Sequence, residues 1–165
     1  MKILINALVK QLNEIQDGKI WIGENFNGKL DSITENEAFT RPLTSLHCVA
    51  EILSHLTLWK KEAILKIKTG EGSSTDDCEE NWVGVEELKE RGWANIKSEN
   101  QLITAEFIGL LKTKEDSFLE QLYFDTDYKD YFNYLFLIEG ILQHDIYHLG
   151  QLGIIIKLLL NIKSS

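Results

Sequence analysis

Three of the four histidines in this chain of 165 residues stand where a helix would ordinarily carry leucine or isoleucine. Cys48, Ile52, His55 and Trp59 follow four-three-four spacing, which places them on one stripe of a helix. Leu137, Ile141, His144, His148, Gln151, Ile155 and Leu158 form a second such stripe, with two successive core layers taken by imidazole and the next by an amide. The His144 and His148 Cβ atoms are then about 5–6 Å apart, so both rings reach one ion at the usual nitrogen-to-metal distance of about 2.0–2.1 Å. His55, near the middle of its own helix, is the expected third ligand. Three neutral imidazoles leave a divalent ion its full charge and leave positions for water or substrate, the pattern of a catalytic rather than a closed structural site. Imidazole suits several metals. Nickel or zinc is the expectation, with copper, iron and manganese accommodated.

A single inward histidine is ordinarily a hydrogen-bonded core residue, and His55 alone reads that way. The pair four apart is harder to explain without a shared partner, because each buried donor left unsatisfied costs about 1–3 kcal/mol. Other motifs fit less well. The HDIYH run at 144–148 has the histidine spacing of a zinc protease, but Asp145 replaces the longer glutamate that serves as base, and no further acid or histidine follows. A di-iron carboxylate bundle needs two Glu-x-x-His pairs, whereas Glu51 precedes His55 by four. His47 reads as a polar residue at a helix start, Glu51 as a capping or solvated carboxylate that alternatively orients an imidazole, and Trp59 as core packing. Cys48 lies two turns, about 10 Å of rise, from His55, too far to share the ion; it is a small core residue or a lining of the pocket.

The elements that must position these residues are helices. One proline and long Leu- and Ile-rich stretches at three- and four-residue spacing argue against a sheet of many turns. Four long helices are expected, over residues 2–17, 44–68, 86–112 and 130–160, with a short continuation over 114–121. Thr34 and Glu37 fit a capping box that starts a short helical piece in the first connection. The run TGEGSSTDDCEEN at 69–81 reads as a solvated loop, long enough when extended (roughly 45 Å) to cross the bundle or to turn back. Residues 123–129 read as an Asp- and Tyr-rich connection.

The length fits one domain over 1–165, able to bury roughly 70% of its unfolded surface. A formal net charge of -9 sets a repulsive field against any phosphate backbone, so nucleic acid is set aside as a partner. Two cysteines in different settings make no disulfide framework, no leader pattern precedes the first helix, and the apolar run 149–160 is short for a bilayer and interrupted by Lys157. A cytoplasmic protein without a membrane partner is expected.

Gly18-Lys19-Ile20-Trp21-Ile22-Gly23, Arg41-Pro42, the run from His47 through His55 to Trp59, and the run from Gly140 through His144, His148 and Gln151 to Leu152 together resemble the DinB/YfiT-like superfamily of metal-dependent hydrolases and thiol transferases. The similarity runs in order over nearly the whole chain. It implies an all-α, up-down-down-up four-helix bundle, a common dimer, and one divalent ion on His55, His144 and His148. It also implies thiol chemistry: a small-molecule thiol such as bacillithiol or mycothiol attacking an electrophile, or a thiol-dependent isomerisation. Trp21 is a candidate wall of the substrate pocket. The sequence departs from the commonest pattern at Cys48, Val49 and Ala50, where an aromatic often sits between the two histidines. Two alternatives remain open: a metal-dependent hydrolase, and a metal-stabilised helical dimer that binds a ligand or partner without turnover.

Overall fold

The computed structural model describes residues 1–163. Four long helices carry the fold: α1 (Ile3–Asp17), α4 (Val49–Thr69), α6 (Trp93–Lys112) and α7 (Tyr134–Lys163). Shorter helices α2 (Phe26–Asp31), α3 (Glu35–Ala38) and α5 (Val85–Arg91) lie in the connections, and a two-stranded antiparallel hairpin, β1 (Leu122–Asp125) and β2 (Asp130–Asn133), precedes α7.

The directions of the helices follow from which side chains meet. Lys61 and Lys68 on α4 pair with Glu99 and Glu106 on α6, so equal steps along both helices keep partners together and the two run parallel. Between α4 and α7 the order reverses: the Lys66 carbonyl meets Tyr134 near the start of α7, Lys60 meets Asp145, and His55 meets His144 and His148. Lys2 at the start of α1 donates to the Lys112 carbonyl at the end of α6, which sets α1 against α6. The result is the up-down-down-up bundle expected from the sequence.

Helix α4 is the buried centre, with Ile52, Leu53, Leu56, Ala63, Ile64 and Ile67 in the core alongside Ile5, Leu12, Ile96, Phe107, Leu111, Ile138 and Leu152 from its neighbours. It also buries Glu51, His55, Lys60, Glu62 and Lys66, and each of these has a charged or hydrogen-bonding partner. Lys60 and Asp145 are 2.5 Å apart with 2% and 1% of their side chains exposed, and Gln16 on α1 donates to the other Asp145 oxygen at 3.1 Å. Burial pushes the Asp145 carboxyl up, against the pull of the Lys60 ammonium and the Gln16 amide. Helix α7 has the length and mean hydropathy (1.2) of a membrane-crossing helix, yet it packs along α1 and α4 here.

Several boundaries differ from the sequence reading. The second helix begins at Val49 rather than residue 44, because the Glu51 carboxylate accepts the Cys48 backbone N–H at 2.8 Å and fixes the start there; His47 consequently precedes the helix. The third is broken at Gly92 (φ 81°), whose left-handed backbone separates α5 from α6. The short continuation over 114–121 is a single 3-10 turn, Asp116–Glu120. Asp116 accepts the backbone N–H groups of Ile3 and Ile5 at 2.8 and 3.0 Å, satisfying first-turn donors of α1 from the far side of the sequence. The connection at 123–129 contains β1 and the turn that returns into β2; Asp125 accepts from the Asp127 and Tyr128 N–H groups, a local bond set that favours a turn over helix. Helix α7 therefore starts at Tyr134, not residue 130. The capping box of Thr34 and Glu37 forms as expected and opens α3.

Candidate metal centre

His55 projects from the second turn of α4 and His144 and His148 from successive turns of α7, and their Nε2 atoms turn toward one point. The His144 Nε2 is 2.9 Å from that of His55 and 3.0 Å from that of His148, and all three ligand atoms lie within 4.8 Å of one another. Nitrogens so spaced can stand together at about 2.0–2.1 Å from a single ion.

The outer nitrogens fix the chemistry of the inner ones. The His55 Nδ1 lies 3.1 Å from the Asn81 carbonyl, an obligate acceptor, so Nδ1 carries the proton and Nε2 a lone pair. The His148 Nδ1 donates to the Gln151 Oε1 at 2.7 Å, with the same result at its Nε2. Two lone pairs therefore face His144, and a proton on its Nε2 satisfies only one of them. A shared cation satisfies all three. Protonating a second ring is disfavoured: burial first, then the charges of His148, His55 and Lys60, bring His144 down to about 3. Burial and His55 bring His148 to about 4. Burial lowers His55 as well, against its bond to Asn81. These residues fit a divalent metal.

The loop at 69–81, expected to be solvated, brings its last residue, Asn81, and the Trp82 that follows it into this centre. Trp82, in the 3-10 turn Glu79–Trp82, lies flat on His55 with ring centroids 4.1 Å apart and planes 5° from parallel; His47 covers its other face at 3.7 Å and 6°. Asn81 is buried and bonds on both sides, donating to the Asp76 carbonyl at 2.7 Å and accepting the Trp59 indole N–H at 2.9 Å. Further back, the loop is tied to α4 and the hairpin through Ser73 on Glu62, Thr126 on the Gly72 carbonyl, and the Asp76 N–H on Asp127. Sequence reasoning missed Asn81 and Trp82 as site residues. A tryptophan in an otherwise polar, acidic run was the available signal.

A cleft of about 650 Å³ opens beside the centre, with His55 and His144 at one end and the buried Lys66–Asp125 pair and Tyr123 at the other. Trp59, Trp82, Tyr128 and Phe136 give it aromatic walls, and Asp76, Asp127 and Glu139 line it as well. The other two sequence candidates lie elsewhere. Trp21 is 97% exposed and borders a separate depression with Ile20, Ile22 and Ile146, so it is no wall of this cleft; its neighbours in the chain turn tightly at Gly23 and leave the indole in solvent. Cys48 is fully buried at the start of α4 and does not line the cleft; burial raises its thiol to about 11. Glu51 does not reach the rings of the trio: it caps α4 and is paired with Arg41.

No curated protein matches the sequence. Among solved structures the fold is similar to YfiT from Bacillus subtilis, described as a probable metal-dependent hydrolase with an unusual four-helix bundle topology, at a TM-score of 0.67 and 11% identity over 96% of this chain and 89% of that one. The model of the DinB superfamily matches residues 21–152, a span that holds all three converging histidines, and the chain belongs to that superfamily.

Proposed function

We propose that this chain is a divalent-metal-dependent enzyme that joins a low-molecular-weight thiol to a small electrophile. The observation that carries the reading is the convergence of three Nε2 lone pairs at the end of an open, aromatic-walled cleft. His55, His144 and His148 would hold the divalent ion, which would supply Lewis acidity favouring the thiolate form of a thiol of ordinary pKa about 8.5 at neutral pH, its proton passing to solvent.

The protein's own residues supply the rest. Asn81 and Gln151 hold two imidazoles in the tautomer that leaves Nε2 free. Trp59, Trp82 and Phe136 form apolar surface that excludes water from one side of the centre and accepts an apolar electrophile. Among the described residues no cysteine or serine lines the cleft, which favours a nucleophile that arrives from solution over one built into the chain. Among the described lining residues Asp76, Asp127 and Glu139 stand against one cation, Lys66, already paired with Asp125, so the cleft favours neutral or cationic electrophiles over anionic ones.

The test starts with elemental analysis of protein purified without affinity metals, followed by cobalt or nickel substitution and titration with thiols. The expected result is one equivalent of metal, lost in His148→Ala, and an intense sulfur-to-metal charge-transfer band on adding thiol, with turnover of a neutral electrophile. A metal form whose spectrum no thiol changes, but which hydrolyses ester or amide substrates, would move the assignment to the hydrolase. Bound metal without any turnover would move it to a structural, ligand-binding bundle.

A further inference from the structure

Gln151 steadies His148 from within α7, one turn away. His55 has no such neighbour on its own helix: its Nδ1 partner and its stacking partner both come from the segment that crosses between α4 and α5. We propose that Asn81 and Trp82 are positioning residues for the metal, aiming the His55 ring through the Asn81 carbonyl and the Trp82 indole face. The inference rests on the metal reading of the histidine trio.

Two constraints are needed to fix an imidazole on a helix, one for its tilt and one for its rotation about the Cβ–Cγ bond. The near-parallel stack on Trp82 sets the plane of the ring. The bond from Nδ1 to the Asn81 carbonyl sets which edge faces α7. Both constraints are themselves anchored to α4 and its approach. Trp82 is clasped on its far face by His47, and the Asn81 side chain is held by the Trp59 indole N–H, one turn beyond His55. Asp76 receives the other end of the Asn81 amide, which closes the segment into a compact bend. The arrangement clips residues 76–82 onto α4 at three points around His55, and no ligand atom belongs to the clip. Outer partners that orient a ligating histidine typically account for 10–100-fold in metal affinity.

The experiment measures metal affinity by competition with a chromogenic chelator, alongside the imidazole tautomers of the apo protein by nitrogen-15 NMR. Asn81→Ala and Trp82→Ala are expected to weaken zinc binding 10–100-fold while stoichiometry stays at one. Trp82→Phe, which keeps a stacking ring, should recover most of the loss. Trp59→Phe removes the indole N–H that holds Asn81 and keeps an aromatic ring at the edge of His55. It should weaken binding by several-fold, and it keeps the test open should Asn81→Ala fail to fold. In the parent the His55 proton should sit on Nδ1; Asn81→Ala keeps the backbone carbonyl that accepts it but removes the side-chain bonds to Trp59 and Asp76 that hold that carbonyl in place, so the two tautomers should begin to mix. Cobalt should quench Trp82 emission, so quenching should shrink in Trp82→Phe. Folded variants with parental zinc affinity and an unmixed His55 tautomer would overturn the proposal. A parent that binds no zinc would instead defeat the metal reading, with the tautomer measurement still deciding whether the clip orients His55.

Discussion

Removing Lys60 from its pairing with Asp145 should be among the most damaging changes available outside the apolar core. Both side chains are at most 2% exposed, and among the described residues the Asp145 carboxylate accepts from Lys60 at one oxygen and from the Gln16 amide at the other. Breaking such a pair leaves a desolvated charge and costs about 3–5 kcal/mol, whereas replacing both members by apolar groups is often neutral or stabilising. With a urea m-value of about 2 kcal/mol per molar, Lys60→Met should lower the unfolding midpoint by about 1.5–2.5 M. The double variant Lys60→Met with Asp145→Leu should recover most of that. The loss should also depend on pH. Without Lys60 the Asp145 carboxyl sits above its unfolded pKa in the folded state, and a raised group contributes stability below its unfolded value and loses it as pH rises. The deficit should therefore be larger at pH 8 than at pH 5. Urea titrations of the parent, both single variants and the double variant at the two pH values measure this. A midpoint for Lys60→Met within 0.5 M of the parent, as an order of magnitude for an exposed pair, would refute the reasoning.

The metal-free protein should lose stability on acidification, because His144 and His148 are held below their unfolded values; stability is full above about pH 6.5 and falls as the unfolded chain takes up protons, by about 2 kcal/mol at pH 5 for His144 alone, read from thermal melts across pH. Excess zinc at about 100 times its Kd should raise the melting temperature by roughly 5–10 °C, and His148→Ala should abolish the rise. Gly92→Ala should cost about 1–3 kcal/mol, since φ 81° with ψ 142° is a backbone region that glycine alone adopts readily; a loss below 0.5 kcal/mol, taken as roughly the surface background, would count against it.

The histidine stripes were legible because helix periodicity is a local property: His55 on one stripe and His144 and His148 on another could be read without knowing how the helices dock. The direction of α6 was not legible in periodicity, since parallel and antiparallel partners share the same apolar pattern; it was expected only through the family resemblance, and contacts such as Lys61 with Glu99 show it. Asn81 and Trp82 were hidden for a related reason. Their segment has no period, and its position depends on Trp59, His47 and Asp76 reaching it from elsewhere. The hairpin of β1 and β2 was obscured by its brevity: each strand is four residues, and Asp and Tyr dominate the stretch. Trp21 misled because an aromatic beside a tight turn reads the same whether its ring faces a cavity or water.

Because α4 and α6 run the same way, the chain between them must travel the height of the bundle before their apolar faces can meet. No local hairpin of neighbouring helices is available to start assembly there, and α1 docks on Asp116 more than a hundred positions later. Contacts of such long sequence separation bring a loop-closure penalty early and their reward late, so this bundle should fold more slowly than an up-and-down bundle of equal size. The same geometry makes the return path a ruler: its usable length is set by bundle height, and a deletion between Gly70 and Gly92 would be felt as tension along the whole span rather than as a tighter turn.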